Sequence, residues 1–128
     1  MNERILLDTD VSIRLLRQQP ETKISFIYYY EQGTVFLLSP IVVAEIYAGA
    51  FPEEYPTIEA FFTLCEPLPL NNETAKQAGL YAKQYRKAYN NISLEDYLLA
   101  ATAKIEDCQL WIYNRKHFPM PEVSIFKA

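Results

Sequence analysis

Residues 5–13 read ILLDTDVSI: three apolar β-formers run straight into Asp8, and Asp10 follows two positions later. Ile5–Leu7 reads as a short buried strand. Val11–Gln18 reads as a helix with Asp10 as its N-cap. Three roles are open to carboxylates at such a strand end: a helix cap, a metal ligand, or a phosphoryl-accepting nucleophile.

Outward from this stretch, strands and helices alternate. Lys23–Gln32 is a second helix closed by Gly33, and Thr34–Leu38 a second strand. Ser39 and Pro40 fit the N-cap and first turn of a helix that ends near Gly49–Pro52. Tyr55–Leu64 is helical, and Glu66–Leu68 is a short edge strand weakened by Pro67 and Pro69. Residues 71–91 read as one long helix, and another opens with Ser93 as its cap. Leu110–Tyr113 and Val123–Phe126 complete a set of four to five short strands. The alternation predicts an α/β fold with a central, mostly parallel sheet flanked by helices. Ligands of such sheets bind at the carboxyl ends of strands, which is where Asp8 lies.

A length of 128 residues predicts one domain, residues 1–128, and a hydrophobic fraction of 50% provides for a real core. The net charge of -4 shows no basic excess, so contact with nucleic acid must rest on a local patch or a bound cation. Three glycines are too few for a GxGxxG or Walker loop. Cys65 and Cys108 have no metal-ligand spacing and read as reduced thiols near the core. The N-terminus has no signal-peptide pattern and no apolar run approaches ~20 residues, so the expected location is cytoplasmic, with no membrane partner.

Two further acids stand out. Glu45 has Ile41, Val42, Ala48 and Gly49 as its helical neighbours, so it projects from an apolar face. An ion pair with a basic residue and a metal ion are both open to it. Asp96 has capping-box spacing from Ser93, yet its helix runs on through Leu98, Leu99, Ala100 and Ala101 and reads as central. Glu95 points about 100° away, so only one of the pair is expected to share a site with Asp8. If Asp8, Glu45 and Asp96 converge, a divalent cation relieves their repulsion. Oxygen ligands suit Mg²⁺ or Mn²⁺.

The blocks LLDTDVSIRLLR, SPIVVAEIYAG, SLEDYLLAATA and LWIYNRKHFPM, in this order over nearly the whole chain, resemble the PIN domain, and within it the VapC-like toxins of bacterial toxin–antitoxin pairs. The resemblance implies a three-layer α/β domain and a Mg²⁺- or Mn²⁺-dependent ribonuclease held in check by a cognate antitoxin. It puts the family's acids on Asp8, Glu45 and Asp96, and a polar residue on Asn114. Two positions depart from the family pattern: Ile112 stands where many members have Thr or Ser, and His117 where many have Asp.

On this reading Asn114 aims its amide at Asp8 or at the metal's water, and His117 is peripheral. Arg115, Lys116 and Arg14 are the candidates for binding RNA phosphates. An aromatic fraction of 14% leads us to expect a homodimer. Two other readings compete. ILLDTDVS also resembles the first motif of haloacid-dehalogenase-type phosphatases, in which Asp8 would be a covalent nucleophile; that chemistry needs a Lys and a late acidic pair beyond a strand, whereas Glu106 and Asp107 precede one. The other is a catalytically degenerate PIN domain that only binds a partner.

Overall fold

The computed structural model describes residues 3–128. Four strands form one parallel sheet: β1 (Arg4–Leu7), β2 (Val35–Leu38), β3 (Glu66–Pro67) and β4 (Gln109–Trp111), in the spatial order β3-β2-β1-β4. Six α-helices connect them: α1 (Thr9–Leu16), α2 (Pro20–Glu31), α3 (Pro40–Ala48), α4 (Tyr55–Phe62), α5 (Asn72–Tyr85) and α6 (Leu94–Ile105). Ile5, Leu6 and Leu7 are all 0% exposed. Successive strand residues point to opposite faces, so both faces of β1 are covered and the fold has three layers. The α/β expectation holds.

The order of the strands fixes where a site can form. The chain steps outward from β1 through β2 to β3, then returns past both to place β4 on the other side of β1. Right-handed crossovers put α1–α4 on one face and α5–α6 on the other. The packing agrees: α1 lies against α2, α3 and α4, and α6 lies along α5. The reversal falls between β1 and β4, the position at which open α/β sheets form a crevice at their carboxyl ends. There the Asp8 N–H donates to the Trp111 carbonyl over 3.2 Å, joining the ends of the two strands.

Several boundaries differ from the sequence expectation. Helix α1 begins at Thr9, and its cap is Asp8, not Asp10. Helix α5 stops at Tyr85 where residues 71–91 suggested a longer run. Arg86–Ala88 form a turn after it, and the poor helix formers Asn90 and Asn91 keep the chain from winding on. Val123–Phe126 does not form a full fifth strand. It makes one parallel bridge, Ile125 to Leu110, fixed by hydrogen bonds between Leu110 and Ser124 and between Phe126 and Leu110. Gly33 stands after α2 with φ 91, the left-handed turn that favours glycine at a helix end. Cys65 and Cys108 are buried and free, and burial pushes their thiols up to about 12 and about 11, so both are inert.

Helix α3 starts as its sequence dictates. Ser39 is 1% exposed, and its hydroxyl accepts from the Ile41 N–H over 3.1 Å. Replacing Ser39 with Ala removes this cap and is expected to cost about 1 kcal/mol. The measurement is a urea titration, in which the midpoint falls and the slope is unchanged.

Candidate active site

Each acid in the crevice sits at the start of a helix or on its cleft side. Asp8 ends β1 and caps α1: its Oδ1 accepts from the Val11 N–H over 2.8 Å. Ser12 reinforces the turn, its hydroxyl donating to the Asp8 carbonyl over 2.8 Å. Asp96 forms a capping box with Ser93, as its spacing predicts. The Asp96 N–H donates to Ser93 Oγ over 3.1 Å, and the Ser93 N–H to Asp96 Oδ2 over 3.4 Å. Glu45 rises from the second turn of α3, and its Oε1 accepts from the Thr9 hydroxyl over 2.7 Å.

These three side chains share one cleft of about 230 Å³, which Thr9, Asp10, Ser93, Glu95, Leu99 and His117 also line. Within it each of the three acids uses one oxygen. Asp8 keeps Oδ2, Glu45 keeps Oε2 and Asp96 keeps Oδ1 without a hydrogen bond among the described residues. The same bonds hold the carboxylates apart. Among the described residues no three His, Cys, Asp or Glu side chains stand close enough to form a closed metal cage. The donor set is nonetheless that of a hard cation: carboxylate oxygens with one imidazole nearby. Burial pushes the Asp8 carboxyl up to about 7; the Val11 N–H opposes this, and the charges of Asp10, Asp96 and Glu45 add to it. An uncompensated negative field of this kind is relieved by a bound cation.

Sequence reasoning needs four corrections here. Glu45 is exposed: the apolar side of α3 packs inward through Val42 and Ile46, and Glu45 opens into the cleft. Asp10 is not a cap but a further cleft acid in the first turn of α1, and Glu95 lines the cleft together with Asp96. Asn114 and His117 exchange their expected places. A single 3-10 turn, Arg115–His117, folds the chain back toward α6. His117 Nδ1 then meets Asp96 Oδ2 at 3.0 Å, and Asn114 Nδ2 meets His117 Nε2 at 3.1 Å. The neutral tautomer that satisfies both contacts donates from Nδ1–H to Asp96 and accepts the Asn114 amide at Nε2. Asn114 spends its amide on His117, not on Asp8.

The basic residues divide. Arg115 and Lys116 are exposed on the 3-10 turn beside His117. The Arg14 guanidinium instead lies 3.8 Å from the centre of the Tyr113 ring, and it does not line the acid cleft. Tyr113 is tied in turn to Thr22, with 2.6 Å between the hydroxyls. Thr9 is the contributor that sequence reasoning missed. The signal was Asp8 itself, which as a cap starts the helix one residue on and directs Thr9 toward α3.

The geometry excludes the phosphatase reading. The cleft holds no lysine, and Asp107 lies in a separate hollow with Glu3 and Arg4, at the amino ends of β1 and β4. The chain belongs to the PIN-domain family, whose model matches residues 5–119. Ribonuclease VapC19 of Mycobacterium tuberculosis is 32% identical over 115 residues, covering 90% of this chain and 92% of that protein. Ribonuclease VapC10 of the same organism is 33% identical over 118 residues, covering 92% and 88%. The fold matches the crystal structure of VapBC2 from Rickettsia felis bound to a promoter DNA fragment, with a TM-score of 0.84 at 18% identity, over 96% of this chain and 97% of that one.

The raised Asp8 carboxyl sets a pH dependence. Without added cation it titrates at about 7 in the folded chain, against 3.8 for an unperturbed side chain. Between those values the folded state holds the extra proton, so stability falls as pH rises through the window and levels off above it. Asp8→Asn keeps a capping side chain and removes that slope. The variant is expected to match the parent near about pH 4 and to exceed it by roughly 4 kcal/mol near about pH 8. Urea midpoints in EDTA across the window measure this. A parent whose stability rises with pH there contradicts it.

Proposed function

We propose that this chain is a divalent-metal-dependent endoribonuclease, the toxin of a toxin–antitoxin pair, working in the cytoplasm. One observation carries the reading: the carboxylates of Asp8, Glu45 and Asp96 share a cleft at the carboxyl edge of a parallel sheet, each with one oxygen still unused. Two relatives that match most of the chain are named ribonucleases, and the Rickettsia structure is of VapBC2 bound to promoter DNA.

Asp8, Glu45 and Asp96 would hold Mg²⁺ or Mn²⁺. When bound, the ion supplies Lewis-acid charge neutralisation at the scissile phosphodiester and activation of water. The chain's own residues do the rest. Val11 and Thr9 orient the carboxylates of Asp8 and Glu45. His117 holds Asp96 through Nδ1–H and fills the position of a fourth acid. Asn114 is a positioning residue that fixes the tautomer of His117. Arg115 and Lys116 meet the RNA phosphates that the acids alone would repel. The cognate antitoxin would restrain the enzyme by covering the acid cleft. The exposed face of α2, with Ile24, Ile27, Tyr28 and Tyr30, is where a homodimer would form, and sedimentation tests it.

Cleavage of single-stranded RNA by the purified chain is expected with Mn²⁺ and not with EDTA. Asp8→Asn and Asp96→Asn should each lower it by more than about a hundredfold, beyond the range of an outer-shell partner. His117→Ala should lower it by roughly tenfold, and Asn114→Ala by less. Calorimetry near neutral pH adds a second readout: binding of Mn²⁺ should release a proton in the parent and not in Asp8→Asn. Full Mn²⁺-dependent cleavage by Asp8→Asn sinks the assignment. An intact fold that binds no Mn²⁺ favours the degenerate, binding-only reading. Expression without a partner should arrest growth of a bacterial host, and Asp96→Ala should abolish the arrest.

A further inference from the structure

A second hollow is larger than the acid cleft. It is a cavity of about 520 Å³ between the turn after α5 and the 3-10 turn after β4. Tyr89, Asn90 and Asn91 line one side, and Arg115, Lys116 and His117 the other. His117 also lines the acid cleft, so the two hollows share a wall. Their chemistry is opposite. The acid cleft is lined by five carboxylates, whereas no Asp or Glu lines the larger cavity of this net-acidic chain.

From this juxtaposition we infer that the cavity is a nucleotide subsite, which takes one unpaired base of the RNA whose neighbouring phosphodiester lies in the acid cleft. The inference rests on the ribonuclease reading and adds to it a site that reads bases. The volume falls within the range of small-ligand sites. Tyr89 is 42% exposed, and Tyr85 meets it at an interplanar angle of 61°, 6.0 Å between centroids. The ring is therefore held by its neighbour without being stacked upon, and it keeps area for a base. Asn90 and Asn91 each carry an amide donor and acceptor, the groups that read the edges of an unpaired base. Arg115 and Lys116 supply the cations for the flanking phosphates.

The early end of α5 makes the cavity. Had residues 86–91 stayed helical, Asn90 and Asn91 would follow the helix axis and not line a hollow. An acidic peptide is the competing occupant, since two cations also attract carboxylates, but it has no use for an open tyrosine ring and two amides at the same wall.

The test is binding, not cleavage. A fluorescently labelled short single-stranded RNA of mixed sequence is titrated, in EDTA, into the full-length Asp8→Asn chain and into the same chain carrying Tyr89→Ala or Tyr89→Phe. Tyr89→Ala should weaken binding by roughly tenfold, the scale of one lost base–aromatic stack, and Tyr89→Phe should not. Arg115→Ala with Lys116→Ala should lower the salt slope by about one per lost phosphate contact. A duplex of the same sequence should bind more weakly, and Tyr89→Ala should not change it. Equal binding of single strand and duplex, or unchanged binding by Tyr89→Ala, overturns the proposal and leaves a phosphate patch. A glutamate-rich peptide that displaces the RNA, and whose own affinity drops with Tyr89→Ala, overturns it in favour of a peptide site. The two readings fail separately. If the base site fails its binding test, Mn²⁺-dependent cleavage by the parent chain still upholds the nuclease reading. A chain that binds RNA through Tyr89 but never cleaves it sinks the nuclease and not the subsite. Thermal melts of each variant confirm folding, and the exposure of Tyr89 makes a loss of fold unexpected.

Discussion

The hydrogen bond from the Val11 N–H to Asp8 Oδ1 is the interaction on which the site depends. It closes the first turn of α1, so the helix starts where β1 stops and no loop intervenes. It also takes one carboxylate oxygen, which fixes the direction of the other. Helix N-termini attract negative charge, and this design uses the attraction to hold an acid that crowding would otherwise displace. Asp96 is held in the same way through Ser93. The helix caps thus stabilise the fold and, with the same atoms, assemble a concentrated negative charge at the switch point of the sheet. Of the roles posed by the sequence, the geometry makes Asp8 a cap, and its second oxygen stays unengaged among the described residues.

That arrangement sets a conflict of charge. A cleft lined by five carboxylates repels the polyanion that a nuclease must bind, and the chain as a whole carries a net charge of -4. The fold answers locally. The turn after β4 brings Arg115 and Lys116 beside His117, so cationic and anionic groups adjoin within a few residues of one strand end. The Arg14 guanidinium stands apart from this turn, over the Tyr113 ring and outside the acid cleft.

The fold was largely legible because each element carries its own start signal. Ser39–Pro40 and Ser93 cap helices whose sequences then do as their patterns say, and the continuous apolar runs of β1 and β2 announce strands covered on both faces. Legibility failed where local signals are degenerate. Asp8 and Asp10 are equally good caps by type, and only the joint between β1 and β4 selects Asp8. Residues 86–91 hold no glycine or proline to mark the end of α5. The helical neighbours of Glu45 are apolar, but the cleft lies beside them, and sequence cannot show an opening between two helices. The places of Asn114 and His117 depend on one 3-10 turn, whose three-residue geometry has no pattern to read.

The two margins of the sheet have a consequence of another kind. At one margin β3 is two residues long and includes Pro67, which offers no N–H. At the other, the backbone of Ser124–Phe126 occupies Leu110 and covers β4. An open strand edge templates the addition of foreign strands and is a seed for aggregation. Among the described residues none of useful length is left open. The described surface therefore favours contact through helices, turns or clefts, by side chains, over growth by strand upon strand.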